Sequence, residues 1–237
     1  MLQKEIIMGN NKIAFKIVAE SDAFTIFRDA EPLKTPRNLP VTVPTKKLAE
    51  AIVEECVGQG DRLDLRRMPL TQMALTAIDI AANHRDEVIN GIMKFGDSEL
   101  VCQRATDPAD LVARQNEGWQ PYLYWCKDKF GAELLTGSGI VPFKQSEEAL
   151  TKLGAVVESY GAFALTGLSE AVSILGSLVL GLALATKHVT ADEAFAAAEL
   201  DHLWQNKKWG DDPETQSQQA EIKDELTMCA RYFELLG

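Results

Sequence analysis

The side chains of this sequence best suited to bond-making or metal chemistry are its three histidines and four cysteines, and their spacing supports little of either. Glu199 and His202 form one Glu-x-x-His step. On a helix that step stacks a carboxylate and an imidazole one turn apart, as in the carboxylate-bridged metal sites of helix bundles. Such a site needs a second copy of the step, and none exists here. His84 follows Asn83 at a helix break and reads as an exposed turn residue. His188 lies just past an apolar run, where partial positive charge suits a helix C-terminus. Cys56, Cys102, Cys126 and Cys229 form no CxxC pair and match no zinc spacing. Their apolar neighbours make them buried free thiols, which fits a reducing compartment. A GxSxG elbow, an HExxH and a Walker loop are all absent. Gly137-Ser-Gly139 lacks the lysine and the helix context of a phosphate cradle, so it reads as a loop. These residues predict a chain that is no enzyme and that holds neither a metal nor a cofactor.

A different chemistry sits near the C-terminus. Trp204 and Trp209 bracket Gln205-Asn-Lys-Lys208. Either the indoles anchor a helix end onto the body of the protein, or one of them lies on a partner-binding surface, where tryptophan is enriched. Asp201 precedes them. It is either a solvated helix residue or an acid that pairs with a partner's arginine or lysine.

Charge narrows the partner. The chain carries 35 acidic against 24 basic side chains, a net charge of -11. That balance repels phosphate backbones and anionic membrane surfaces, so neither nucleic acid nor membrane is expected. It suits solvation or a protein partner with basic patches. Ala171 to Ala185 is an uncharged run of 15 residues. A spanning helix needs about 20, so a buried helix is expected instead. The N-terminal MLQKEIIMGNNK shows neither a signal-peptide nor a transit-peptide pattern. The expected location is the bacterial cytoplasm, or the mitochondrial matrix for a processed eukaryotic protein.

The elements that must position these residues follow from periodicity. Phe15-Lys-Ile-Val and Phe24-Thr-Ile-Phe flank a turn-like Glu20-Ser-Asp and predict a hairpin. Prolines 32, 36, 40 and 44 confine the next stretch to an edge strand or an extended loop. Thr45 caps a helix over 46–57, with Leu48, Ile52, Val53 and Cys56 on one face. Pro69 opens the next helix, and the pattern then turns mostly helical. Glu99 to Arg104 is a strand or an extended link. Pro108 to Phe130 is a helix broken or kinked at Pro121. A helix runs from Ser146 to Tyr160, a buried one from Phe163 to Thr186, and another from Thr190 through Lys207. Glu193 completes a capping box with Thr190. A last helix spans Glu214 to Leu236. The predicted fold class is α+β: a small N-terminal α+β unit with antiparallel strands over 1–66 and a larger helical unit over 67–237.

These pieces, taken in order, carry a resemblance. They are Pro32-Leu-Lys-Thr-Pro36 and Val43-Pro-Thr45, Met68-Pro-Leu-Thr71 with Ala77-Ile-Asp79, and Cys102-Gln-Arg-Ala105. They continue with Gln115, Trp119-Gln-Pro121 and Trp125, then Leu200-Asp201, Trp204-Gln205 and Lys208-Trp-Gly210. The set, over roughly Phe15 to Gly210, resembles the assembly chaperones that bind the α subunit of the F-type ATP synthase catalytic head in mitochondria and α-proteobacteria. The resemblance implies a small α+β sandwich followed by an orthogonal helical bundle. It implies a partner, the unassembled α subunit, whose exposed apolar surface the chaperone covers without chemistry of its own. It carries over one position, Asp201, where glutamate is more common in the family. Its neighbours Glu199, Trp204, Gln205 and Trp209 complete the expected partner-binding set. The sequence departs from the family at Glu55-Cys56, where Glu-Trp is frequent, and at Gln103-Arg-Ala, where a tyrosine precedes the arginine. Two other readings stand beside it: a metal-dependent helical-bundle enzyme using Glu199 and His202, and a general acidic adaptor.

Overall fold

The computed structural model describes residues 6–8, 14–59, 63–139, 143–210 and 212–237. They pack as two compact units. The first gathers Met1–Arg85, Gly161–Gly167 and Arg231–Gly237; the second holds Asp86–Tyr160 and Leu168–Ala230. The boundary between residues 66 and 67 falls inside the first of these. The fold is α+β, with a small antiparallel sheet near the N-terminus and ten α-helices among the described residues.

In the first unit, β1 (Ile6–Met8), β2 (Phe15–Glu20), β3 (Ala23–Arg28) and β4 (Glu31–Pro32) follow one another across the sheet, and β5 (Thr42–Val43) also pairs with β3. The β2–β3 hairpin is antiparallel from Phe15↔Arg28 to Glu20↔Ala23, with Ser21 at φ 49° in its turn. Phe15, Ile17 and Ile26 point inward, as a period of two requires, and Ile17 lies directly opposite Ile26. Pro32 sits in two-residue β4 and Pro40 in an isolated bridge with Lys34. Both are edge positions where a missing N–H breaks no central ladder.

Helix α1 (Lys46–Val57) starts at Thr45, whose hydroxyl accepts from the Leu48 N–H. Its apolar face, Leu48, Ile52, Val53 and Cys56, is buried and lies against β2, β3 and β5. Each such side chain contributes about 1.5–3 kcal/mol by leaving water. Glu55 caps the next helix, α2 (Pro69–Thr76): its carboxylate accepts from Leu70 N at 3.0 Å, Thr71 N at 2.8 Å and Thr71 Oγ1 at 2.6 Å. At Glu55-Cys56 only the second residue departs from the family pair. The glutamate keeps a capping task, while Cys56 is sealed and burial pushes its thiol up to about 12. A π turn, Ala77–Ala81, follows α2. There Asp79 is buried and accepts from Thr35 Oγ1 at 2.7 Å and Arg37 N at 3.3 Å, which ties the proline-rich edge to this turn.

The second unit is built from α3 (Arg85–Asp97), α4 (Ala109–Phe130), α5 (Glu147–Ser159), α6 (Ala162–Leu175), α7 (Leu178–Ala185), α8 (Ala191–Ala198), α9 (Leu200–Trp209) and α10 (Pro213–Leu236), some of whose residues fall in the first. The link at residues 99–104 ends in β6 (Gln103–Arg104), which pairs in parallel with β7 (Gly137–Ser138). Two expectations need correction. The helix over 163–186 is two helices, because Gly176 takes the left-handed φ of 62° and Ser177 then caps α7 through the Leu180 N–H. The helix over 190–207 is also two, since Glu199, at φ -90° and ψ 13°, ends α8 and begins α9. Of the two alternatives at Pro121, the break does not occur: α4 runs through it for 22 residues and stops at Gly131, φ 69°.

Glu99 is the second unit's most deeply buried carboxyl group. It accepts from the Ser177 hydroxyl, from Val179 N at 3.1 Å and from Val101 N at 3.4 Å, and so sits at the N-terminus of α7. Burial pushes its pKa up to about 7 against the opposing pull of these hydrogen bonds. Among the described residues, no helix is long and apolar enough to cross a membrane.

Candidate functional site

Helix α9 carries the predicted partner-binding residues and presents them on two faces. Positions 201, 204 and 208 form one stripe and 199, 202 and 206 another, since residues three and seven apart share a helix side.

The first stripe meets α4. Contact is close because Gly118 has no side chain: a Cβ there would fall 2.5 Å from Leu200 Cδ1. Beside it, the Trp119 indole N–H donates to the Ala197 carbonyl at 2.7 Å, fixing the end of α8 and hence the start of α9. Gln115, only 2 % exposed, then spans the gap. Its amide oxygen accepts from Ala105 N at 2.7 Å and its NH2 donates to Asp201 Oδ1 at 2.8 Å. Asp201 is half-buried, and among the described residues its Oδ2 takes no hydrogen bond. The Arg104 guanidinium lies 5.1 Å from the centre of the Trp119 ring. Burial lowers its pKa, while Cys102 and Asp201 act the other way. Asp201 is therefore an aimed acid, held by one oxygen with the other left over.

One turn on, Trp204 is buried and its indole N–H donates to Asp110 Oδ2 at 3.3 Å. Lys208 pairs with the same oxygen at 2.8 Å, and its ammonium stands 4.1 Å over the Trp204 ring. The Lys208 hydrogen bond holds the Asp110 carboxyl below its usual range. Trp209 packs edge-on against Trp204, with ring centres 5.6 Å apart, yet remains 73 % exposed. The two alternatives for the tryptophans thus divide between them: Trp204 is the anchor, and Trp209 is on the surface.

Glu199 and Gln205 are not part of this cluster. Glu199 accepts or shares a hydrogen bond with His202 Nδ1 at 2.9 Å, and both residues line a cavity toward α10, as does Gln205. Among the described residues, no group of three His, Cys, Asp or Glu side chains is placed to hold a metal. The other two histidines sit elsewhere: His84 is in a half-buried turn, and His188 stacks on Trp125 at 4.7 Å. The four cysteines are free and buried.

Sequence reasoning treated Arg104, Gln115 and Trp119 only as marks of resemblance. The structure gathers them around Asp201. Asp110 was missed altogether: a lone acid in the first turn of a helix gives no hint that Trp204 and Lys208 will meet it 94 and 98 positions later.

Comparison with known proteins gives the family of the chain. The sequence profile of the ATP12 chaperone protein family matches residues 10–127. The crystal structure of Atp12 from Paracoccus denitrificans is 34% identical, with a TM-score of 0.89 over 94% of this chain and 96% of that one. An aspartate-to-lysine variant of the same protein, also 34% identical, matches with a TM-score of 0.90 over 94% of this chain and 95% of that one. A protein from Agrobacterium tumefaciens is 32% identical, with a TM-score of 0.86 over 99% of this chain and 85% of that one. The chain belongs to the ATP12 chaperone family, the ATP synthase assembly factors that its ordered motifs resemble.

Proposed function

We propose that this protein holds the unassembled α subunit of the ATP synthase catalytic head, prevents its aggregation and releases it to assembly. It does so by covering surface, with no reaction and no cofactor of its own, in the bacterial cytoplasm or the mitochondrial matrix. The observation that carries the reading is the Asp201 cluster. A half-buried carboxylate with a free oxygen stands one turn from Trp204, against which the largely exposed indole of Trp209 packs. An aimed charge next to an exposed aromatic is how hot spots on protein surfaces are built. The net charge of -11 favours a basic patch on the partner.

The test is binding of purified α subunit by calorimetry. The wild-type chain is expected to form a one-to-one complex. Asp201→Asn keeps the acceptor for Gln115 and removes the charge, so it separates recognition from folding. It is expected to weaken the complex about tenfold, or ~1.4 kcal/mol, and Asp201→Lys further. Unchanged affinity in Asp201→Asn removes the site assignment. A wild-type chain that neither binds α nor keeps it soluble removes the function.

A further inference from the structure

Arg104 brings a positive charge to the Asp201 cluster, and the fold sets its place there. Its backbone lies in β6, opposite Ser138 of β7. Its guanidinium stands 5.1 Å from the centre of the Trp119 ring, and Nη1 donates to the Val101 carbonyl. The next amide, Ala105 N, donates to Gln115, whose NH2 donates in turn to Asp201 Oδ1. Two hydrogen bonds and one amide width thus put the Asp201 carboxylate within about 8 Å of the Ala105 nitrogen. Each side keeps something spare. Arg104 Nη2 is shut off from solvent and has no hydrogen-bond partner, and among the described residues Asp201 Oδ2 takes no hydrogen bond. The two charges also act on one another: burial lowers the Arg104 pKa, and Cys102 and Asp201 oppose that fall. A guanidinium stays protonated even so.

The sealed Nη2 offers a partner no surface to touch, so Arg104 is not itself a docking group. Its field still reaches what docks beside it. A cation arriving at Asp201 Oδ2 is drawn by one charge and repelled by another that stays in place. We infer that Arg104 is a specificity-determining residue of the Asp201 site: its fixed positive charge weakens the hold on a partner's lysine or arginine and so keeps the complex releasable. This rests on Asp201 being the acid that docks the α subunit.

The experiment uses the full chain with Arg104→Lys, which keeps the charge, and with Arg104→Met and Arg104→Gln, which remove it by an apolar and a polar route. None keeps the guanidinium fork, so a role in packing alone would move all three together. In calorimetry with purified α subunit, Arg104→Lys is expected to bind within about twofold of wild type. The two neutral variants are expected to bind about three- to fivefold tighter, the worth of a partly screened charge contact, and the gain is expected to shrink at about 500 mM salt. Neutral variants that bind no tighter than Arg104→Lys, while Asp201→Asn does weaken binding, overturn the inference and leave the docking reading standing. A second readout needs no partner. Urea midpoints of Arg104→Met, Asp201→Asn and the double variant are expected to shift by less than the sum of the single shifts, because each single change already removes the mutual attraction. Additive shifts overturn the inference whatever the α subunit does.

Discussion

At the scale of the residue, the two tryptophans of α9 separate packing from exposure. Trp204 is clamped: Asp110 takes its N–H, Lys208 covers its face and Trp209 abuts its edge. Trp209 gives most of its ring to solvent. Trp209→Ala is accordingly expected to leave thermal stability within about 0.5 kcal/mol of wild type, as for surface positions generally. It is expected to weaken α-subunit binding by about 1–2 kcal/mol, the range of a peripheral hot spot. Urea denaturation and calorimetry on the same preparation check both halves. A loss of stability comparable to the loss of affinity would place Trp209 with Trp204 as an anchor.

At the scale of the element, the break between α6 and α7 is where burial and charge compete. Ser177 caps α7, and Glu99 reaches in to take the hydroxyl and the Val179 N–H. A carboxylate suits a helix N-terminus, yet here desolvation outweighs that attraction and pushes Glu99 up to about 7. Because the folded pKa lies above that of the unfolded chain, the native state holds a proton that the unfolded state has already lost. Stability from this group is full below about 4.5 and is lost as pH rises through about 7, on the order of 3 kcal/mol in all. Urea midpoints at pH 5, 6, 7 and 8 are expected to fall across that window in wild type. In Glu99→Gln they are expected to be lower at pH 5, where an NH2 meets a backbone N–H, and flatter with pH. Equal slopes in the two proteins would show that Glu99 does not titrate there.

At the scale of the whole molecule, the charge of -11 is a long-range property that no single contact expresses. Its consequence is felt on encounter with a partner. Raising salt from about 50 to about 500 mM shortens the screening length from roughly 14 to roughly 4 Å. Association with the α subunit is then expected to slow by about fivefold or more, with little change in dissociation. Stopped-flow kinetics separate the two rates. Association that does not slow with salt would mean that the acidic surface serves solvation alone.

Much of this was legible in the amino-acid order, for a physical reason. The hairpin, the Thr45 and Thr190 caps, the Pro69 start and the edge prolines are decided by neighbours a few residues apart. So is the buried face of α1, whose stripe repeats at helical spacing. The splits at Gly176 and Glu199 were missed because apolar or helix-favouring residues continue on both sides, and periodicity does not register one turned residue. The ordered motifs also singled out Asp201 as an expected partner-binding residue. They could not say what holds it. Gln115 reaches Asp201 from 86 positions away, and Trp204 finds Asp110 from 94. Such pairings depend on how helices pack, through a missing Cβ at Gly118 or a bonded indole at Trp119, and no local pattern encodes that.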